Sequence, residues 1–274
     1  MVAYNPKDWF GLIFKFHKSD TFRRLLPLLM AVAAYSALLA WIEIDVLKLN
    51  FRSTSALHSI LGFVVSILLV FRTNTAYDRW WEGRKLWGQL VNNSRNLASK
   101  IIALNPNPAQ KELLLGYIAK FPQLLMMHLR DEKHPELDET SHQPSLHVLE
   151  FQSKLFNTFN AQQLLLLNEE ISGYHNILGA CERIKKTPIP FAYSMFLKKF
   201  IFAYVLTMPY GFINEFGYGV TAVVTFTCYV LTSMELIAED IENPFGYDAN
   251  DLPLDQICEN IRTNIAELSQ PKLI

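Results

Sequence analysis

Apolar residues fall in four long runs along this chain, at Leu25 to Ile42, Ala56 to Phe71, Phe200 to about Phe216, and Val220 to Ile237. A helix needs about 20 apolar residues to cross a hydrocarbon layer, so each run predicts a membrane-spanning helix. The second is the shortest and contains His58 and Ser66, a pattern that also suits a buried helix of a soluble protein. Pro209 removes one helical hydrogen bond from the third and predicts a kink there. Trp41 and the cluster Tyr210, Phe212, Phe216 and Tyr218 fall where the amphipathic rings of an interfacial belt are expected.

Between the second and third runs lies a stretch of ordinary polarity, from Arg72 to Lys199, too long for a loop without structure of its own. Within it Trp87, Leu90, Ser94, Leu97, Ile101 and Leu104 recur at helical spacing, and the Asn-Pro-Asn-Pro sequence at 105 to 108 ends the pattern. A second helix is expected from Ala109 to Arg130. A third and fourth are expected between Leu146 and Lys186, with a break near Ser172 and Gly173, since an isolated glycine punctuates a periodic segment. Strand signals are scarce, and the predicted fold class is all-α. The expected organisation is 1–78 with the first two spans, 79–198 as a helical domain, 199–238 with the last two spans, and 239–274 as a C-terminal segment.

Charge fixes the expected orientation. Lys7, Lys15, Lys18, Arg23 and Arg24 precede the first span, Arg72, Arg79, Arg84 and Lys85 follow the second, and Lys198 and Lys199 precede the third. The loop between the last two spans has no Lys or Arg, and the loop after the first has only Lys48 and Arg52. Basic residues remain preferentially cytoplasmic, so both termini and the helical domain of a multi-pass membrane protein are expected inside. Half of the residues are hydrophobic, 19% are charged and the net charge is −1, which indicates a lipid bilayer partner and gives no basic excess for a nucleic acid. The N-terminus lacks a cleavable-signal pattern and is expected to persist. Cys181, Cys228 and Cys258 form no CxxC pair and are expected to be reduced.

The stretch from Asp131 to His147 contains His134, His142 and His147 with several carboxylates, but the spacing fits no metal-ligand pattern and reads as a solvated loop. The chain has no HExxH, no glycine-rich phosphate loop and no nucleophile elbow. No motif requires a cofactor or supports an enzyme.

Three further segments carry a resemblance. LGFVVSILLVFRTNTAYDRWWEGRKLWG at 61 to 88 contains Phe71, Arg72, Asn74, Tyr77, Arg79, Glu82, Arg84 and Leu86-Trp87-Gly88 in an order and spacing similar to the pore-helix signature of the bestrophin family, prokaryotic branch. TPIPFAY at 187 to 193 and ENPFGYDANDLPLD at 242 to 255 resemble the family's later motifs and follow in family order.

The resemblance implies a homopentamer around one central pore that conducts monovalent ions. Family annotation gives chloride, and prokaryotic members can favour cations. It implies that the second span lines an apolar neck at Phe63, Ile67 and Phe71, and that Ile189 forms a cytoplasmic aperture. The i, i+4, i+8 spacing stacks the three neck residues about 6 Å apart on one helix face. By spacing alone, such residues equally suit lipid contact or packing. The stripe from Trp87 to Leu104 also reads as a helix-helix seam and supports assembly. Family members that bind calcium do so in the third segment, where only Asp248 and Asp251 match acidic positions here. Two carboxylates are weak candidates for a cation that takes six to eight oxygens, and no metal is expected. Arg72 would favour anions if it faced a pore. Glu235, Glu239, Asp240 and Glu242 suit either an acidic lining or a solvated helix end. The alternative from another class is a membrane-anchored sensor or scaffold that conducts nothing. A secondary transporter is disfavoured because no inverted repeat is visible.

Overall fold

The computed structural model describes residues 20–48, 55–104, 106–132 and 143–269. The expectations placed on Lys7, Lys15, Lys18, Arg52, His134 and His142 lie outside them. Among the described residues there is no strand, and eight α-helices follow one another: α1 Asp20–Trp41, α2 Ser55–Ala103, α3 Pro108–Leu129, α4 Gln143–Thr158, α5 Ala161–Lys186, α6 Phe191–Phe216, α7 Val220–Glu242 and α8 Leu254–Ser269. A π-helical segment, Ile42–Leu47, follows α1, and the 3₁₀ turn Gly217–Gly219 joins α6 to α7.

Runs long and apolar enough to cross a membrane cover Thr21–Leu47, Ala56–Ala103 and Phe191–Glu242. The last of these comprises α6 and α7 with the turn between them. The chain is an all-helical membrane protein. Leu26, Met30 and Leu38 on α1, Phe202 on α6 and Phe226 on α7 are exposed, an apolar surface that water would not tolerate and hydrocarbon does.

Two differences from the sequence pattern have clear causes. The second span and the Trp87 stripe, read as separate segments, belong to the single 49-residue helix α2. No proline interrupts it, so the fall in hydropathy at Arg72 marks a change of surroundings and not a helix end. The break expected at Ser172 and Gly173 lies inside α5, and the real break is at Phe159 and Asn160. Gly173 is there for close approach: a Cβ at that position would collide with the Asn93 side chain on α2. The signal for the real break is Asn160, whose side chain caps the Gln163 amide at 3.0 Å while Gln163 reaches back to the Asn160 N–H at 3.0 Å, a capping box.

The chain divides into two compact units. One comprises the described residues up to Asp78 together with Ile189–Glu242, and the other comprises Arg79–Pro188 together with the described residues from Asn243 onward.

In the first unit the helices pack antiparallel to their neighbours. Lys198 near the start of α6 pairs with Glu239 near the end of α7 at 2.9 Å, and Arg24 on α1 pairs with Asp240 at 3.5 Å. His58 and Leu68 on α2 bond respectively to Thr207 (3.0 Å) and Tyr193 (3.1 Å) on α6, so α2 runs against α6. At the opposite end the Tyr218 hydroxyl donates to Asp45. The apolar core between these helices is built from Leu25, Leu29, Val65, Leu69, Leu197, Ile201, Val224 and Cys228, among others. Two polar residues of α2 find partners nearby, His58 Nε2 at the Thr207 carbonyl and the Ser66 hydroxyl at the Gly62 carbonyl at 2.8 Å, as a hydrocarbon setting favours.

In the second unit, Trp87, Leu90, Leu97 and Ile101 of α2 are fully buried against α3, α4, α5 and α8 through Ile118, Phe121, Phe151, Tyr174 and Ile177. The Ser94 hydroxyl within this stripe meets the Tyr174 hydroxyl at 3.1 Å. The seam predicted as an assembly surface is therefore consumed within the chain, because only burial there gives the helical unit a core. All three cysteines are free, and burial pushes the Cys181 and Cys258 thiols up to about 12.

Candidate functional site

On α2, the stripe formed by His58, Val65, Leu69, Arg72 and Ala76 is buried, with neighbours three, four and seven residues apart as one helix face requires. Phe63, Ile67 and Phe71 lie off that stripe and are 66%, 39% and 61% exposed. Three large apolar side chains are thus turned away from their own unit, at successive heights along one helix. Leu68, next to Ile67, is partly buried in the apolar core, and its carbonyl accepts the Tyr193 hydroxyl.

Arg72 follows Phe71 and points the other way. It is 1% exposed, with Nη2 2.8 Å from Glu242 Oε2 and Nε 3.5 Å from Glu235 Oε2. Glu235 and Glu242 are seven residues apart on α7, two turns, so both carboxylates address the same guanidinium. The expectation of a positive lining at Arg72 gives way to an internal ion pair, because a charge in this setting is held only with a partner. The acidic end of α7 is paired within the chain: Glu239 with Lys198, Asp240 with Arg24, and Glu242 with Arg72, with Glu239 itself exposed.

Ile189 is 9% exposed, packed with Ala76, Ala238, Tyr193 and Ile241. Its N–H donates to Glu242 Oε1 at 2.7 Å. Pro188 and Pro190 have no N–H to offer, so Ile189 supplies the one backbone donor of the Pro-Ile-Pro sequence. Arg72, Ile189 and Glu242 lie one in each of the three segments that carried the resemblance, but nothing in those segments showed that they meet. The available signal was a lone arginine at the end of an apolar run together with two glutamates spaced seven apart.

In the helical unit, parts of the three sequence segments that carried the resemblance come together. Arg79 donates to the carbonyls of Ile184 and Thr187, and Trp80 Nε1 donates to the Asn250 carbonyl at 3.0 Å. Phe245 is fully buried against Gly83, where a Cβ would stand 3.1 Å from the ring. Arg130 Nε reaches the Phe245 carbonyl at 3.3 Å, Nη2 reaches Asp255 at 3.0 Å, and the guanidinium lies 4.2 Å above the Tyr247 ring. Asp251 is buried and its Oδ2 accepts the Asp248 N–H at 2.7 Å, while Asp248 itself is exposed. One carboxylate thus closes its own turn and the other is exposed. Among the described residues no group of three or more His, Cys, Asp or Glu gathers as a metal site.

The sequence model of the bacterial and fungal bestrophin family matches residues 1–267. The chain belongs to this family. Among curated bestrophin relatives, a voltage-dependent anion channel-forming protein of Nostoc sp. is 38% identical over 76% of this chain and 75% of its own length. One of the same description from Mesorhizobium japonicum is 31% identical over 100% of this chain and 95% of its own. A crystal structure of a bacterial bestrophin homolog from Klebsiella pneumoniae superposes with a TM-score of 0.80 at 26% identity, over 88% of this chain and 97% of that one.

Proposed function

We propose that this bestrophin is one subunit of a homopentameric channel for passive conduction of monovalent anions across a prokaryotic inner membrane. Four spans, α1, the first part of α2, α6 and α7, carry the chain across, and the helical unit and both termini lie in the cytoplasm. Phe63, Ile67 and Phe71 form the neck, and Ile189 forms the cytoplasmic aperture. The observation that carries this reading is the outward display of the three neck residues on a helix whose other face is buried. Around an axis, such side chains make three stacked apolar rings, a constriction that offers an ion no polar partner and can gate by dewetting. The family supports a channel rather than an enzyme, and the relatives' description supports anions. Apolar rings set no sign, and Arg72 is occupied by its glutamates, so charge preference rests on that description.

Purified protein in planar bilayers under a bi-ionic gradient tests conduction and its sign together. Single-channel currents that reverse toward the anion potential are expected. No ion flux would favour the membrane-anchored scaffold, and reversal toward the cation potential would overturn the anion assignment alone. Native mass spectrometry in mild detergent should give a particle near five times 31.5 kDa, and a monomer would refute the ring. A cysteine at Asn214, exposed near the α6–α7 turn, should label from outside the cell, and one at Glu112 on α3 should not.

A further inference from the structure

We infer that Glu242 is a positioning residue that holds the neck and the aperture in register through one carboxylate. This rests on the proposed assignments of neck and aperture. Its two oxygens are divided between two constrictions: Oε2 pairs with Arg72 Nη2 at 2.8 Å, and Oε1 accepts the Ile189 N–H at 2.7 Å. Arg72 directly follows Phe71 at the end of the neck, so its side chain sets the rotation of α2 at that level. Ile189 stands between two prolines that restrict its backbone, and its N–H is the one donor by which that segment can be held. The site is closed around these contacts. Arg72 is 1% exposed, Ala76 and Ala238 are fully buried beside Ile189, and Glu235 Oε2 stands 3.5 Å from the guanidinium Nε.

The chemistry demands two acceptors on one side chain. A carboxylate supplies them, and its charge answers the buried guanidinium. A glutamine supplies one acceptor oxygen and an amide NH₂ that can face neither Arg72 nor an N–H. Glu242→Gln must therefore crowd both donors onto one oxygen or release one of them, and it leaves the guanidinium short of charge. Glu235→Gln disturbs the guanidinium alone, since Glu235 does not reach Ile189. Glu242 bears on each constriction through its own bond, so its loss disturbs both, whereas the loss of Glu235 disturbs only the neck.

The test uses the full chain in planar bilayers, with single-channel conductance in chloride as the neck readout and the chloride to thiocyanate permeability ratio as the aperture readout. Ile67→Ala and Ile189→Ala calibrate the two. Glu242→Gln is expected to shift both readouts by roughly threefold or more, and Glu235→Gln to shift conductance by a like amount and leave the ratio unchanged. Adding Ile189→Ala to Glu242→Gln should move the ratio by less than the two changes separately, as coupled sites require. Glu242→Asp keeps the charge but is one methylene short, and serves if the glutamine variant does not assemble: conductance should be near wild type and the ratio shifted. If both calibrating variants respond while Glu242→Gln changes neither readout, the proposal fails and the constrictions stand. If neither calibrating variant responds, the constriction assignments fail and the proposal falls with them. Failure of both Glu242 variants to assemble would make Glu242 a residue of the fold and overturn its positioning role.

Discussion

Replacing Ile67 or Leu68 by alanine removes the same number of carbons from adjacent positions about 100° apart on one helix, yet the two side chains meet different surroundings. Ile67 is 39% exposed and turned off the buried stripe, whereas Leu68 packs into the apolar core beneath the Tyr193 hydroxyl bond. Truncating a well-buried leucine costs about 2–5 kcal/mol, so partly buried Leu68 should lose about 1–2 kcal/mol per subunit and Ile67 at most about 1 kcal/mol. For ions the order reverses. If Ile67→Ala widens the apolar ring enough to lower the dehydration barrier by about 1 kcal/mol, conductance rises about fivefold. Leu68→Ala should leave conductance unchanged and lower the melting temperature. Single-channel recording, paired with thermal unfolding of the detergent-solubilised protein, reads both effects. Equal conductances for the two variants at equal stability would mean that α2 presents a different face to the pore, and the assignment of Phe63, Ile67 and Phe71 would fall.

Two further outcomes test the helical unit. Gly173→Ala should destabilise it by about 1–3 kcal/mol through overpacking against Asn93, and Asn93→Ala should relieve much of that loss; additive melting-temperature changes in the double variant would refute the close-approach explanation. Burial lowers the pKa of His147 from its usual 6.5, opposed by its bond to the Tyr117 carbonyl at 2.8 Å; Lys120 adds to the lowering and Glu150 opposes it. The unfolded chain therefore binds the proton more readily: the stability from neutral His147 is full above pH 6.5 and is lost as pH falls toward the folded pKa. Melting curves at falling pH should show a smaller decline for His147→Gln than for wild type, and an identical decline would refute the assignment.

The sequence by itself determined the solvent and the elements. Runs of apolar residues at Leu25, Ala56, Phe200 and Val220 had to be helices, because hydrocarbon leaves no partner for an unpaired backbone group. The Asn-Pro-Asn-Pro sequence at 105 to 108 marked the end of the Trp87 pattern through local chemistry alone, and α2 ends at Ala103. The tertiary structure decided whatever depended on distant partners. Gly173 looked like a break and proved to be room for Asn93, a residue 80 positions earlier in the chain. The Trp87 stripe looked like an assembly seam and proved to be core, since periodicity identifies an apolar face and not what covers it. Arg72 had the residue type of an anion-attracting lining. Only the fold brought Glu235 and Glu242 to it, turning that charge inward and tying it, through Glu242, to the backbone of Ile189.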